Sequence, residues 1–415
     1  MPSRAGGPMN KGMEKLFGIS RKPMRRIIGL MSGTSMDGLD IAVCEIEQYG
    51  MNTRLAPTHF ETVAYPVTVK EEIRKVFAKE TVDLRQLCLL NPWLGNLHAA
   101  WILRCLEKWG LSPGDVDLIA SHGQTIYHCP KILHGLAGFP NATLQIGDGD
   151  HIAAGTGIIT ISDFRQKHIA AGGEGAPLAL YGDYCIFSKK GEDRIMLNMG
   201  GIANFTFLSG TLDPQAVFVT DTGPGNTLID AAARLYFQQE FDRDASLARQ
   251  GRVNAALLEA LKANDFFRTV FPRTTGPELF NLEYIRKAQA LSHTTTLSPV
   301  DILATLTRFS AETIVEAIQQ VLPENDSSCV IYMSGGGAFN PLLTEWIREG
   351  LAPIPMRFTD ELGVSADAKE AVLFAILANE AIVGEPIHFG KAGMPAVTMG
   401  KISFPPEGGG VPLGG

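Results

Sequence analysis

The stretch "RIMLNMGGIANFTFLSG", Arg194–Gly210, reads as an apolar strand, a Gly-Gly turn and a second apolar strand. Short apolar runs flanking a glycine turn have the length and composition of a β-hairpin rather than a helix. The same grammar stands near the start, in "RIIGLMSGTSMDGLDIAVCEIE", Arg26–Glu47. The two copies begin about 170 residues apart, far too long a period for a solenoid, so each opens a domain of its own. Strand-like and helical segments alternate after each hairpin, and the class is α/β.

Composition agrees with this division. A chain of 415 residues with 45% hydrophobic and 19% charged residues has material for two cores. A net charge of −8 argues against a general nucleic-acid binder. The six cysteines are scattered without a CxxC pair or zinc-ligand spacing, which suits small buried side chains in a reducing compartment. No apolar run reaches membrane-spanning length. The first residues, "MPSRAGGPMNKGMEKLFGISRKPMRR", are cationic and broken by Gly and Pro. They read as a flexible leader over 1–25, and "PPEGGGVPLGG" reads as a flexible tail over 405–415.

Helix signals are local and specific. "VKEEIRKVFA" and Asp83–Trp109 have helical spacing, with Pro92 expected to kink or divide the second. Ser298 and Pro299 form an N-cap and N1 pair before "VDILATLTRFSAETIVEAIQQVL", and Asn340 with Pro341 form another. Gly384 closes the apolar helix "SADAKEAVLFAILANEAIVG".

Several turns carry chemistry. Gly33–Asp40 offers backbone amides, hydroxyls at Ser32, Thr34 and Ser35, and carboxylates at Asp37 and Asp40. Such a turn can cradle phosphates if Mg²⁺ offsets the acids, and it is equally the composition of an ordinary hairpin turn. "NMGGIANF" repeats the turn without acids. In "TDTGPGNTLID", the strand "AVFVT" delivers Asp221 at its end, facing a helix that begins near Asn226. That is a common place for a general base, and also for an acid that merely serves the turn. "SGGGAFNP" puts three glycines between a strand and a helix N-terminus, where a phosphate or flat ring can approach the backbone. "SHGQT" and "LQIGDGD" follow strands as polar loops. His122 is more simply structural than catalytic, and Arg165 in "DFRQKHIAAGGEGAPL" suits either an anion or a surface ion pair. GxxxxGK[ST], GxSxG and the protein-kinase motif set are all missing, and no acid is placed for a Rossmann ribose contact.

Taken in order, "GLMSGTSMDGLD", "SHGQT", "LQIGDGD", "DFR…AAGGEGAPL", "NMGGIAN", "DTGPGN" and "GGGAFNP" resemble the anhydro-N-acetylmuramic acid kinases of the hexokinase/actin/Hsp70-like ATPase superfamily. The resemblance runs from about Ile27 to about Ile402. It implies two actin-like (RNase H-like) domains with an ATP and sugar cleft between them. Domain 1 would be 26–165, with the C-terminal helix and tail 366–404 packing back on it; domain 2 would be 166–365. It implies hydrolytic opening of the anhydro bridge and phosphorylation of O6, with Asp221 as the base that activates water. ATP would be held by Gly33, Thr34, Ser35, Met36, Asp37, Gly38, Leu39 and Asp40, by Gly200, Gly201 and Asn204, by Gly223, Gly225 and Asn226, and by Gly335, Gly336, Gly337 and Asn340. Asp37, Gln124, Thr125, Asp221 and Glu370 would hold the sugar. Mg²⁺ is expected with ATP and no residue is assigned as its direct ligand. A cytoplasmic homodimer is expected, with no nucleic-acid or membrane partner. Two positions depart from the family: His168 where relatives usually carry Asp, and Glu174 where they carry Gln. They bear on substrate choice, for which a levoglucosan-type anhydrohexose is the alternative. A non-catalytic nucleotide-binding relative is the alternative of another class.

Overall fold

Both glycine-turn stretches form hairpins in the computed structural model of the chain, which describes residues 9–33, 36–176, 178–276, 278–322, 328–389 and 395–407. In the first, β1 (Met24–Ser32) pairs antiparallel with β2 (Gly38–Glu47), and β2 with β3 (Arg54–Ala64). β4 (Leu118–Cys129) lies parallel to β1 on its other side. β5 (Ala142–Ile146) pairs antiparallel with the later half of β4, and β6 (Ile159–Ser162) runs parallel to its earlier half. In the second, β7 (Arg194–Met199), β8 (Ile202–Leu208) and β9 (Phe218–Pro224) make the same antiparallel meander. β10 (Val330–Ser334) and β11 (Met356–Phe358) extend it in parallel beyond β7. The last strand, β12 (Lys401–Ser403), returns to pair antiparallel with β6.

The sheet orders are β12-β6-β4-β1-β2-β3 and β11-β10-β7-β8-β9. Each reads as a three-strand meander extended beyond its first strand by two successive parallel strands, the order expected for RNase H-like domains. The protein is thus a two-domain α/β fold. Two compact units result: the described residues up to Ile186 with those from Gly363 onward, and Phe187–Leu362. Residues 166–186 therefore pack with the first unit, not with the second as the resemblance implies. Side-chain contacts explain this: Tyr181 meets Phe389, and Asp183 pairs with Lys369 at 2.9 Å.

In the first unit both faces of the sheet are covered, so its central strands are apolar on both sides rather than alternating. Ile28, Leu30, Ile41, Val43 and Ile119 share a core with Leu94, Trp101, Ile102 and Leu106 of helix Leu84–Lys108. Each such aliphatic side chain contributes about 1.5–3 kcal/mol by leaving water. Helix Lys369–Val383, closed by Gly384 as expected, contacts β1, β2 and β4. Helix Leu84–Lys108 starts on the Asp83 cap and continues through Pro92 without being divided. The carbonyl of the preceding Asn91 accepts from the Asp148 N–H at 3.2 Å, and the Asn91 side chain accepts from the Gly147 N–H at 2.9 Å. In this way the helix anchors the "LQIGDGD" loop.

The second unit packs helix Pro299–Gln319 against its sheet through Ala311, Ile314, Ala317 and Ile318, joined by Leu343 and Ile347 of helix Pro341–Gly350. The Ser298 and Asn340 side chains accept helix N-terminal amides as expected, at 3.2 Å from Asp301 and at 3.2 and 3.0 Å from Leu342 and Leu343.

The supposed leader is structured where it is described. Lys11–Ser20 is a helix capped by Asn10, whose side chain accepts from Gly12 and Met13. Ile19 is buried and Gly12 lies against Phe404. A composition reading misses it because Gly and Pro interrupt the first ten residues, whereas the apolar positions that dock lie beyond them. Residues 1–8 of the leader and 408–415 of the tail lie outside the described residues.

Candidate active site

In the second unit three glycine turns converge. The Gly225 N–H donates to Gly201 O at 2.8 Å, and the Asn226 N–H to Gly200 O at 2.9 Å. A Cβ on Gly225 would overlap the Gly200 carbonyl oxygen, so only glycine lets these turns meet. Gly337 lies against Met199 and Asn226, bringing the 335–337 turn to the same place. Asn226 begins helix Thr227–Phe237, although its side chain makes no cap bond and instead donates to Met199 O at 3.3 Å.

Asp221 is not at a strand end. β9 continues to Pro224, because Gly223 and Pro224 pair with Ala203 and Ile202 and the Thr222 hydroxyl donates to Ala203 O at 3.1 Å. Asp221 thus sits mid-strand, opposite Asn204. Its carboxylate accepts from the Thr275 N–H at 2.8 Å. Burial pushes the carboxyl up to about 6, opposed by the Thr275 bond and by Arg273 and reinforced by Glu278.

Beside the glycine turns lies a cavity of about 450 Å³, lined by Asp230, Phe241, Arg243, Gly336, Phe339 and Asn340, among others. Phe339 and Phe241 are 70% and 45% exposed, so flat apolar faces are left open at its wall. The Asp230 carboxyl is also pushed up to about 6, by burial against the opposing charge of Arg234.

The first unit supplies the acid-bearing turn. Gly33 follows β1, Gly38 and Leu39 already lie in β2, and Thr34 and Ser35 lie outside the described residues. The Leu39 side chain is in the core, so only its backbone can serve a ligand. Met36 takes a left-handed φ of 57° and Asp37 is exposed. Asp40 accepts from Thr62 at 2.6 Å, and burial together with Asp367 and Asp37 outweighs that bond and raises its pKa. Glu370 stands exposed in the first turn of helix Lys369–Val383; desolvation by the surrounding chain and the Asp40 charge raise its pKa, against Lys369 and Arg165.

"SHGQT" lies within β4, not at its end, because the strand bends at Gly123 and resumes pairing with β5. Gln124 is fully buried: its Oε1 accepts from Ser32 at 2.5 Å and its Nε2 donates to Gly33 O at 3.1 Å. The Thr125 hydroxyl accepts from Gln145 at 3.2 Å. His122 is neutral, pushed down to about 3 by burial and Arg165. It accepts from Arg165 Nε at 2.8 Å, so its other nitrogen donates to Gly123 O at 2.7 Å. Arg165 is thus held inside the unit rather than in a surface ion pair.

The family model for anhydro-N-acetylmuramic acid kinase matches residues 25–402. The chain is 55% identical over 402 residues to the anhydro-N-acetylmuramic acid kinase of Pseudoalteromonas atlantica, covering 96% of this chain and all of that one (100%). The chain belongs to the anhydro-N-acetylmuramic acid kinase family. It is also 37% identical over 396 residues to the family member of Caldanaerobacter subterraneus, covering 94% of this chain and 100% of that one. A solved structure, the activator of 2-hydroxyisocaproyl-CoA dehydratase from Clostridium difficile with bound ADPNP, is similar at a TM-score of 0.40 and 12% identity, over 86% of this chain and 95% of that one.

For an anhydro-N-acetylmuramic acid kinase, two supports of the site escaped the motif reading. Arg273 lies in no glycine turn, and only the fold brings it to Asp221. Tyr65 brackets the acid-bearing turn: its N–H donates to Asp37 O at 2.9 Å and its hydroxyl bonds Ser32 Oγ at 2.6 Å. Because Ser32 donates to Gln124, Tyr65 must donate to Ser32, and the buried neutral His98 then donates to Tyr65 over 3.1 Å. Tyr65→Phe removes the hydroxyl link alone. We expect its KM for ATP to rise about 5-fold, one net hydrogen bond, with the fold intact in circular dichroism. An unchanged KM would show that the turn holds its shape without Tyr65.

Proposed function

We propose that the chain is an ATP-dependent kinase of 1,6-anhydro-N-acetylmuramate. Water adds to the anomeric carbon, the bond from that carbon to O6 breaks, and O6 takes the γ-phosphoryl group of ATP. The products are N-acetylmuramate 6-phosphate and ADP, a step in recycling cell-wall sugar. The observation that carries this reading is Asp221. Burial pushes its carboxyl up to about 6, close enough to neutrality to be ionised yet basic enough to take a proton from water. The Thr275 N–H fixes one face of the group and leaves the remaining lone pairs for the water.

The other residues divide the remaining work. The turns at Gly33–Asp40 and Gly200–Gly201 present backbone amides to phosphates, and helix Thr227–Phe237 adds the positive end of its dipole. The 450 Å³ cavity takes the nucleoside, the base against Phe339 and Phe241 and the ribose hydroxyls toward Asp230. Among the described residues no group of three or more His, Cys, Asp or Glu is arranged to hold a metal ion. Mg²⁺ would come on the ATP phosphates, where one or two protein carboxylates suffice to hold it. Asp37 and Asp40 supply hard oxygens of this kind. When bound by them, Mg²⁺ would offset phosphate charge where a lysine is lacking. Asp37, Glu370 and Thr125 face the sugar, Gln124 serves it from the interior by bracing Ser32 and Gly33, and Arg165 takes the lactyl carboxylate. The working form is a cytoplasmic homodimer, which sedimentation of the pure chain checks.

Turnover in ¹⁸O-water tests the chemistry: label must appear at C1 of the phosphorylated product. Unlabelled product would mean direct phosphorylation of a sugar hydroxyl. A panel with anhydromuramate and levoglucosan tests the substrate, and a higher kcat/KM for levoglucosan would overturn the muramate assignment. The pH profile is a further check. A base must be ionised, so kcat should rise through about pH 6 and level off above it. Asp230 titrates in the same range, but Asp230→Asn should leave that limb of kcat in place and alter the KM for ATP.

A further inference from the structure

His168 is fully buried, and the proposed chemistry does not use it. Its Nδ1 accepts from the Gly175 N–H at 2.9 Å, while its Nε2 has no partner among the described residues. A buried imidazole with one nitrogen unpaired is destabilising as filler. What the ring supplies is therefore the acceptor for Gly175. The bond also settles the proton: Nδ1 is bare, Nε2 carries the hydrogen, and a charged ring would set N–H against N–H. Burial and the nearby Arg165 charge push the ring down to about 4, which keeps it in that form at neutral pH.

The Gly175 carbonyl in turn accepts from Arg165 Nη1 at 2.6 Å, and Arg165 Nε donates to His122. The loop has little freedom to do otherwise. A Cβ on Gly173 would overlap the His168 ring, and the Asn141 side chain donates to Gly173 O at 3.0 Å. An unbroken path runs from His168 through the Gly175 peptide to the Arg165 guanidinium. Gly175 and His122 commit two of the three guanidinium nitrogens, and the third, Nη2, has no hydrogen-bond partner among the described residues. Glu370 is the acid whose charge acts on Arg165.

We infer that His168 is a positioning residue that, through Gly175, orients Arg165 for an anionic substituent of the sugar. It rests on the assignment of Arg165 to the lactyl carboxylate. His168 thus sets the preference for a carboxylate-bearing substrate over a neutral one, without touching substrate itself.

The test compares anhydromuramate with its lactamide analogue, in which an amide replaces the carboxylate at equal size. Wild-type enzyme should prefer the carboxylate by at least about 10-fold in KM, the scale of a charge-assisted bond. His168→Phe keeps the ring shape and removes the acceptor. It should lose most of that preference while the KM for ATP and kcat stay within about 2-fold, one hydrogen bond being redirected rather than the site lost. His168→Asn restores an acceptor at the Nδ1 position and should restore the preference, which guards against a Phe variant that folds poorly. Equal losses on both sugars, or Asn failing like Phe in a chain of wild-type thermal stability, would overturn the inference. Arg165→Met separates the levels. If it leaves the preference intact, both the Arg165 assignment and the His168 inference fall; if it abolishes the preference and His168→Phe does not, only the inference falls.

Discussion

Asp221→Asn should lower kcat by about 10²–10⁴-fold, the usual contribution of a positioned general base, while ATP still binds. The amide keeps an oxygen to accept the Thr275 N–H, so the strand should hold its place. The nucleoside cavity involves other residues, and calorimetry should give a Kd for ATP near that of wild type. Stability supplies an independent check. The native carboxyl is raised above its unfolded value, so its contribution is full below about pH 4 and is lost as pH rises through about 6. A neutral Asn escapes that loss. The variant should therefore gain on wild type across this window, by on the order of 2 kcal/mol above it. Wild-type turnover by Asp221→Asn would remove Asp221 from the mechanism.

Arg273→Met should be the most destabilising single change near the site. The guanidinium donates to the carbonyls of Asp221, Thr222 and Phe266 at 3.2, 3.3 and 3.1 Å. It lies over the faces of Phe266, Phe271 and Phe267, with centroids 4.6, 4.8 and 5.7 Å away. Removing it breaks three hydrogen bonds from a charged group, each worth about 1.5–3 kcal/mol, so a loss of at least about 3 kcal/mol should appear in urea unfolding. Activity should fall as well, because the clamp ties the Asp221 backbone to the 266–275 segment. The charge has its own signature. Arg273 lowers the Asp221 pKa, so its loss should move the rising limb of kcat above pH 6. Arg273→Lys retains the charge without the fork; its limb should stay put while stability drops. Equal pH profiles for the two variants would show that the Arg273 charge does not reach the base.

What was legible along the chain was whatever depends on neighbours a few residues apart. Ser298 with Pro299 and Asn340 with Pro341 begin their helices as read, because capping is settled within one turn. The paired hairpins at Arg26 and Arg194 were legible for the same reason. Errors came where a distant partner intervened. "SHGQT" and Asp221 read as strand ends because Gly and Pro suggest turns, yet β5 and β8 continue the ladders past them. Helix Lys11–Ser20 was hidden by leader-like composition.

By itself, then, the sequence determined the class, the doubled hairpin-led domain and the family, since ordered motifs and local periodicity are carried by adjacent residues. Only the tertiary structure decided how the site's groups behave. The Asp221 pKa depends on a bond from Thr275 and the charge of Arg273; the direction of Arg165 depends on His122 and Gly175; the shape of the acid-bearing turn depends on Tyr65 and Gln124. Burial and hydrogen bonding between residues far apart in the chain set these properties, and no local pattern encodes them.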